Sequence, residues 1–181
     1  MILFYHVLVS LAMCNYIDIN ECKLYNVIEG GKLMNIEENN LEYLLNNNKT
    51  IQVYPQGYSM YPFIKPHQDA VILKKVNYQT LKRGDVVLFQ RGTGLYVLHR
   101  IYKIKNQQFF LVGDNQIDIE GPILSTQIKA KMIAIKKKNK IIDVNNIIYF
   151  IIAQLWLLLR PLRHFIVYPF VYLKRLFHTK S

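Results

Sequence analysis

Short alternations of apolar and polar residues fill the middle of the chain, from residue 50 to about residue 143. Side chains of a β-strand point alternately to the two faces of its sheet, so each short alternation predicts a strand. Turn-forming residues separate the alternations at Gly84-Asp85, Gly92-Thr93-Gly94 and Gly113-Asp114-Asn115. The pattern therefore predicts strands at residues 50–54, 71–75, 85–89, 96–104, 108–112 and 130–135.

Two other patterns precede these strands. Apolar positions between residues 35 and 49 recur near helical spacing without Gly or Pro, which predicts a helix. Residues 1–13 are apolar, but they are shorter than the ~20 residues of a membrane-spanning helix and lack a basic start. A weak signal anchor and a buried core strand both remain open for this segment.

The C-terminal part contains two apolar runs, at residues 147–159 and 165–173, separated by Arg160-Pro161-Leu162-Arg163. Charges in the middle of a bilayer are costly, so the two runs make a poor single span. We expect a pair of interfacial helices or a shallow hairpin at a membrane surface, dispensable for any chemistry. The alternative is a core helix packed on the β-strands.

These patterns predict a mainly β protein: a compact antiparallel β barrel or sandwich with an N-terminal helix and C-terminal apolar, basic helices. The predicted organisation has three parts. An N-terminal segment of undecided structure covers residues 1–34, a β-rich domain covers 35–143, and a basic apolar tail covers 144–181.

Basic residues concentrate in the tail. The chain has 23 Lys and Arg against 12 Asp and Glu, a formal net charge of +11. Residues 1–128 hold 12 basic and 11 acidic residues (+1), whereas residues 129–181 hold 11 basic residues and one acid (+10). Because the basic part also has the longest apolar runs, a membrane lipid surface is the expected partner, and a nucleic acid is not.

Candidate chemistry begins at Ser59, which lies between Gly57 and Pro62 in a short loop. A serine nucleophile needs a base, and imidazole is suited to that role near neutral pH. His99 lies in the predicted strand 96–104, and the carboxylates of Asp114, Asp118 and Glu120 follow the next one. A carboxylate can orient an imidazole and stabilise its charged form.

The order of these motifs resembles the successive conserved boxes of type I signal peptidases. The boxes are Ser59-Met60-x-Pro62, Arg83-Gly84-Asp85-Val86-Val87, His99-Arg100-Ile101 and Gly113-Asp114-Asn115. The resemblance covers residues 50–135. The bacterial enzymes have a lysine base in the third box, so His99 makes this chain similar to the endoplasmic-reticulum and archaeal type.

The resemblance implies Ser59 as nucleophile and His99 as general base. Asp114 is the first choice for the orienting acid and Asp118 the second. The family has a further aspartate a few residues after this box, where this chain is one residue shorter and offers Asp118 or Glu120, so Glu120 is also open. Lys103 and Lys105 share the strand parity of His99 and are alternative bases. Asp85 is interpreted as a structural turn residue.

The implied reaction is cleavage of signal or leader peptides from secreted or exported proteins, with no metal or cofactor. Cys14 and Cys22 lack zinc-site or redox spacing, and a disulfide between them stays open. The expected location is the cell membrane, with the side undecided. The alternative function is a non-catalytic membrane-surface interaction domain on a decayed peptidase scaffold. A self-cleaving SOS-type repressor is not expected, because such a protein would need an N-terminal helix-turn-helix and a lysine base, and this chain shows neither.

Overall fold

The computed structural model describes residues 24–29, 32–34, 38–47, 50–138 and 140–161, and this part of the chain is mainly β. Its strands are β1 (Leu24–Glu29), β2 (Lys32–Met34), β3 (Ile51–Pro55), β4 (Asp69–Lys75), β5 (Val86–Gln90), β6 (Tyr96–Lys105), β7 (Gln108–Val112), β8 (Glu120–Ile123), β9 (Ile128–Lys137) and β10 (Lys140–Asp143). Its α-helices are α1 (Glu38–Asn47) and α2 (Ile147–Leu158).

The strands form one curled, half-barrel sheet in which the neighbours pair antiparallel. The strand order is β2-β1-β3-β4-β9-β5-β6-β7-β8. The long strand β9 joins the two halves, because β4 pairs along one side of it and β5 pairs with the first part of its other side. β10 continues along that second side, where β5 has ended.

Both faces of the central strands are buried. Val86 and Leu88 of β5 belong to one apolar cluster, and the alternate residues Val87 and Phe89 belong to a second cluster on the other face. This explains why β5 has a continuous apolar sequence instead of an alternating one. The helix α1 covers the first cluster with Leu41, Leu44 and Leu45, each at most 5% exposed.

The predicted strands are confirmed at β3, β4, β5, β6, β7 and β9, within two residues of the expected limits. The predicted helix is found as α1, while residues 35–37, 48 and 49 lie outside the described residues. The strands β1, β2, β8 and β10 were not predicted. β8 contains Gly121 and Pro122, both of which are rare in strands and hide its pattern.

Helix α2 packs against the sheet with one face. Ala153 and Leu157 are 2% and 3% exposed, and the rings of Tyr149 and Trp156 contact Phe63 edge-on, with centroids 5.7 and 6.0 Å away. The expected membrane tail therefore begins with a helix whose inner face belongs to the core, as the alternative interpretation required. The apolar run 165–173 and residues 1–13 lie outside the described residues.

The opposite face of α2 is exposed to solvent. Ile148, Ile151, Leu155 and Leu158 are between 50% and 66% exposed. Among the residues described here, no helix is both long enough and apolar enough to cross a membrane.

Two adjacent leucines test the packing of α2. Leu157→Ala should lower the free energy of unfolding by about 2–5 kcal/mol, because it leaves a cavity in the core. Leu158→Ala is the matched control on the exposed face, and its effect should stay within about 0.5 kcal/mol. Urea unfolding followed by circular dichroism measures both. Equal, small effects would mean that α2 is not part of the core.

Candidate active site

Ser59 lies in a tight 3-10 turn, Tyr58–Met60, between β3 and β4. The turn is closed by a hydrogen bond from Tyr61 N to the Tyr58 carbonyl (3.0 Å), and Met60 anchors it in the first core cluster. Ser59 is 8% exposed, and its hydroxyl has no hydrogen-bond partner within the described residues. The turn also contacts β6, the strand that carries His99.

The loop after β7 supports the Ser59 turn. The backbone N–H of Asn115 donates a hydrogen bond of 2.8 Å to the carbonyl of Ser59. A Cβ atom on Gly113 would lie only 2.7 Å from the same carbonyl oxygen. Glycine is therefore required at residue 113 for the two backbones to approach each other.

His99 is buried in β6, with 2% exposure. Its ring centroid lies 5.9 Å from that of Phe89, and its Nδ1 lies 3.5 Å from Glu120 Oε2. This is an ion-pair distance, longer than a standard hydrogen bond, and Nδ1 has no hydrogen-bond partner in the described part of the chain.

Glu120, the first residue of β8, is held by an arginine. Arg91 donates from Nε to Oε1 (2.6 Å) and from Nη2 to Oε2 (2.7 Å), which makes a bidentate pair. Partial burial raises the pKa of Glu120, but its contacts with His99 and Arg91 outweigh burial and lower the pKa from 4.5 to about 2. Glu120 is therefore ionised at neutral pH.

Asp114 faces Arg100 instead of His99. Arg100 Nε and Nη2 each donate a hydrogen bond of 2.7 Å to one carboxylate oxygen of Asp114, and both side chains are 0% exposed. Arg100 also donates to the Gly84 carbonyl (2.8 Å) and to Tyr149 Oη (3.2 Å). Burial lowers the pKa of Arg100, but the charge of Asp114 and the hydrogen bonds to it raise the pKa above its usual value.

Strand alternation explains this arrangement. Side chains at consecutive positions of β6 point to opposite faces, so His99 and Arg100 cannot share one carboxylate partner on one face. Asp118, the second choice for the orienting acid, is exposed, and its charge acts on Arg160. The structure thus places Glu120 beside His99, whereas the sequence favoured Asp114 and then Asp118 as the acid that orients His99.

The remaining candidates occupy other places. Lys103 is exposed and lines a groove with Arg83 and Tyr102, and Lys105 is exposed at the end of β6. Asp85 closes a turn, as predicted, because its carboxylate accepts from the backbone N–H of Lys82 at 2.9 Å.

Arg91 carried no signal in the sequence. It follows β5 in a Gly-rich turn, and only the pairing of β7 with β8 brings Glu120 within its reach. Glu120 could be named as an acid, but the pattern of β8 gave no strand that would fix its position.

The described residues contain no group of three His, Cys, Asp or Glu side chains that could hold a metal ion. No family model, curated protein or solved structure matches the chain. The described residues offer a buried serine hydroxyl in the Ser59 turn and, in β6, an imidazole beside an ionised carboxylate.

The buried ion pair gives a prediction that separates structure from catalysis. Asp114→Asn should lower the free energy of unfolding by about 3–5 kcal/mol, because it leaves the Arg100 charge buried without a counter-charge. Asp118→Asn is the control on the exposed loop, with an effect within about 0.5 kcal/mol. Denaturant unfolding compares them, and a fully stable Asp114→Asn protein would contradict the structural role.

Glu120 gives a pH-dependent prediction. Its pKa in the folded protein, about 2, lies below its ordinary value of 4.5, so folding favours the ionised form. Its contribution to stability should be complete above about pH 4.5 and disappear as the pH falls to about 2. The difference in unfolding free energy between the natural chain and Glu120→Gln, measured across this range, should shrink toward acid. A constant difference would contradict the ion pair.

Proposed function

We propose that this chain is a serine endopeptidase of the signal-peptidase type, in which Ser59 is the nucleophile, His99 the general base and Glu120 the acid that orients His99. The observation that carries the proposal is the buried His99 with an ionised carboxylate 3.5 Å from its Nδ1. The motif order around Ser59 and His99 supports the assignment, and the curled antiparallel sheet would be the catalytic domain.

Glu120 determines which nitrogen of His99 can act. A carboxylate that faces Nδ1 favours the tautomer with its proton on Nδ1, which leaves Nε2 free to accept a proton. Ser59 Oγ then attacks the peptide carbonyl as its proton passes to Nε2. Backbone N–H groups near Ser59 stabilise the oxyanion.

The attack forms a tetrahedral intermediate, and two further steps complete the reaction. The C–N bond breaks, the departing amine takes the proton from Nε2, and an acyl-enzyme remains on Ser59. Water then attacks the acyl-enzyme carbonyl and gives a proton to His99 Nε2. The C–O bond to Ser59 breaks as Oγ takes that proton, which releases the new carboxyl group and restores the serine. Neither step requires a metal or a cofactor.

The proposed substrates are signal or leader segments of exported proteins or peptides, and the proposed location is a membrane surface. Both follow from the resemblance and from the basic, apolar C-terminal part. The second candidate is a non-catalytic membrane-surface domain. The observation that favours it is the exposed apolar face of α2, which could bind a lipid surface without any catalytic residue.

Cleavage of a peptide with an apolar stretch and a small-residue cleavage site tests the proposal, using the purified full chain. Ser59→Ala and His99→Gln should each reduce kcat by about 10³-fold or more, and Glu120→Gln by about 10²–10⁴-fold, while all three remain folded. Lys103→Ala and Asp118→Asn are the controls, because both side chains are exposed. Both should cleave within about twofold of the natural chain.

Three results would contradict parts of this assignment. Full cleavage by a folded Ser59→Ala protein would exclude Ser59 as the nucleophile, whereas absence of cleavage by the folded natural chain would favour the non-catalytic domain. A severe loss for Lys103→Ala with a mild loss for His99→Gln would move the base to the lysine.

A further inference from the structure

The outer face of α2 carries a continuous apolar stripe. Its members are 44–66% exposed, and their spacing places them on one side of the helix. They are Ile147, Ile148, Ile151, Ile152, Leu155, Leu158 and Leu159. Single exposed apolar residues are ordinary, but a contiguous stripe marks a contact surface.

A basic groove lies near α2, and one of its residues, Lys82, also lines a cavity together with Ile147 of the stripe. Lys82, Arg83 and Lys103 line the groove together with Tyr102. The groove contacts this part of the chain at two points: Lys82 Nζ lies 5.7 Å from the ring of Phe150 in α2, and Arg160 Cζ, two residues after the helix ends at Leu158, lies 5.1 Å from the ring of Tyr102.

The charge around the groove is positive. Lys82, Arg83, Lys103 and Arg160 contribute four positive charges. Two acids lie near these cations: Asp85, which accepts a hydrogen bond from the Lys82 backbone and is paired with Lys131 at 2.9 Å, and Asp118, whose charge acts on Arg160. An apolar stripe with cationic side chains near it matches an interfacial helix on an anionic lipid surface.

We propose that the α2 stripe and the basic groove form one docking face for an anionic phospholipid bilayer. The stripe enters the interface between headgroups and acyl chains, and the groove contacts lipid phosphates. A second copy of the chain fits less well, because two such faces would bring like charges together. The docking face specifies the membrane location proposed above and rests on it, but it does not depend on Ser59 or His99.

The experiment is co-sedimentation of the full chain with vesicles of phosphatidylcholine alone and of phosphatidylcholine mixed with phosphatidylserine. The natural chain should bind the mixed vesicles at least about 10-fold more tightly, since each basic residue adds on the order of fivefold in affinity. Lys82→Glu with Arg83→Glu should remove most of this preference and change binding to neutral vesicles little. Ile151→Ser with Leu155→Ser should weaken binding to both.

Matched controls change the same chemistry elsewhere. Lys65→Glu with Lys74→Glu alters the net charge equally at exposed positions near β4, and Tyr43→Ser with Leu124→Ser removes exposed apolar side chains outside α2. Both controls should bind vesicles like the natural chain. If the charge control loses as much affinity for the mixed vesicles as Lys82→Glu with Arg83→Glu, binding depends on the net charge of the protein and the docking face is wrong.

Other outcomes would also overturn the proposal. If the stripe variants bind both vesicle types unchanged, the stripe contacts something other than lipid. A second copy would appear as a dimer that Ile151→Ser with Leu155→Ser dissociates in sedimentation velocity. Peptide cleavage without vesicles separates docking from catalysis: the docking variants should retain it, and Ser59→Ala should lose it while it still binds vesicles.

Discussion

Arg100 and Asp114 place a full positive and a full negative charge in the interior, and their pairing connects three parts of the molecule. Burial of two ions is costly unless their geometry is good and their remaining hydrogen-bonding groups are satisfied. Here the pair is bidentate, the guanidinium also donates to the Gly84 carbonyl, and Trp156 Nε1 donates to the Asp114 carbonyl at 2.8 Å. Strand β6, the loop after β7 and helix α2 are thereby held together.

The same ion pair also stabilises the position of the Ser59 turn. Asn115, the residue after Asp114, donates its backbone N–H to the carbonyl of Ser59, so the loop that is fixed by Arg100 also fixes the serine turn. His99, the residue before Arg100, points to the other face of β6 and meets Glu120 there. One strand thus uses two consecutive residues for two purposes: a buried structural ion pair and a proposed catalytic base.

Helix α2 has two apolar faces with different environments. The inner face covers the Arg100–Asp114 pair with Tyr149 and Trp156, whereas the outer face is exposed near the basic groove. A helix that is apolar all round normally has apolar contacts all round. The inner contacts explain why the helix forms on this domain, and the outer face is the part that a lipid surface would complete.

The sequence by itself determined most of the local elements and the candidate chemistry. Alternation predicted six of the strands, helical spacing predicted α1, and motif order selected Ser59 and His99. Only the tertiary structure decided which acid faces His99 and which faces Arg100. Glu120 reaches His99 because β8 pairs with β7, and β8 could not be predicted because Gly121 and Pro122 are rare in strands. Asp114 faces Arg100 because adjacent side chains of a strand point to opposite faces. Local periodicity records which face a residue occupies, but the contacts between distant residues depend on strand pairing, which no short stretch of sequence encodes.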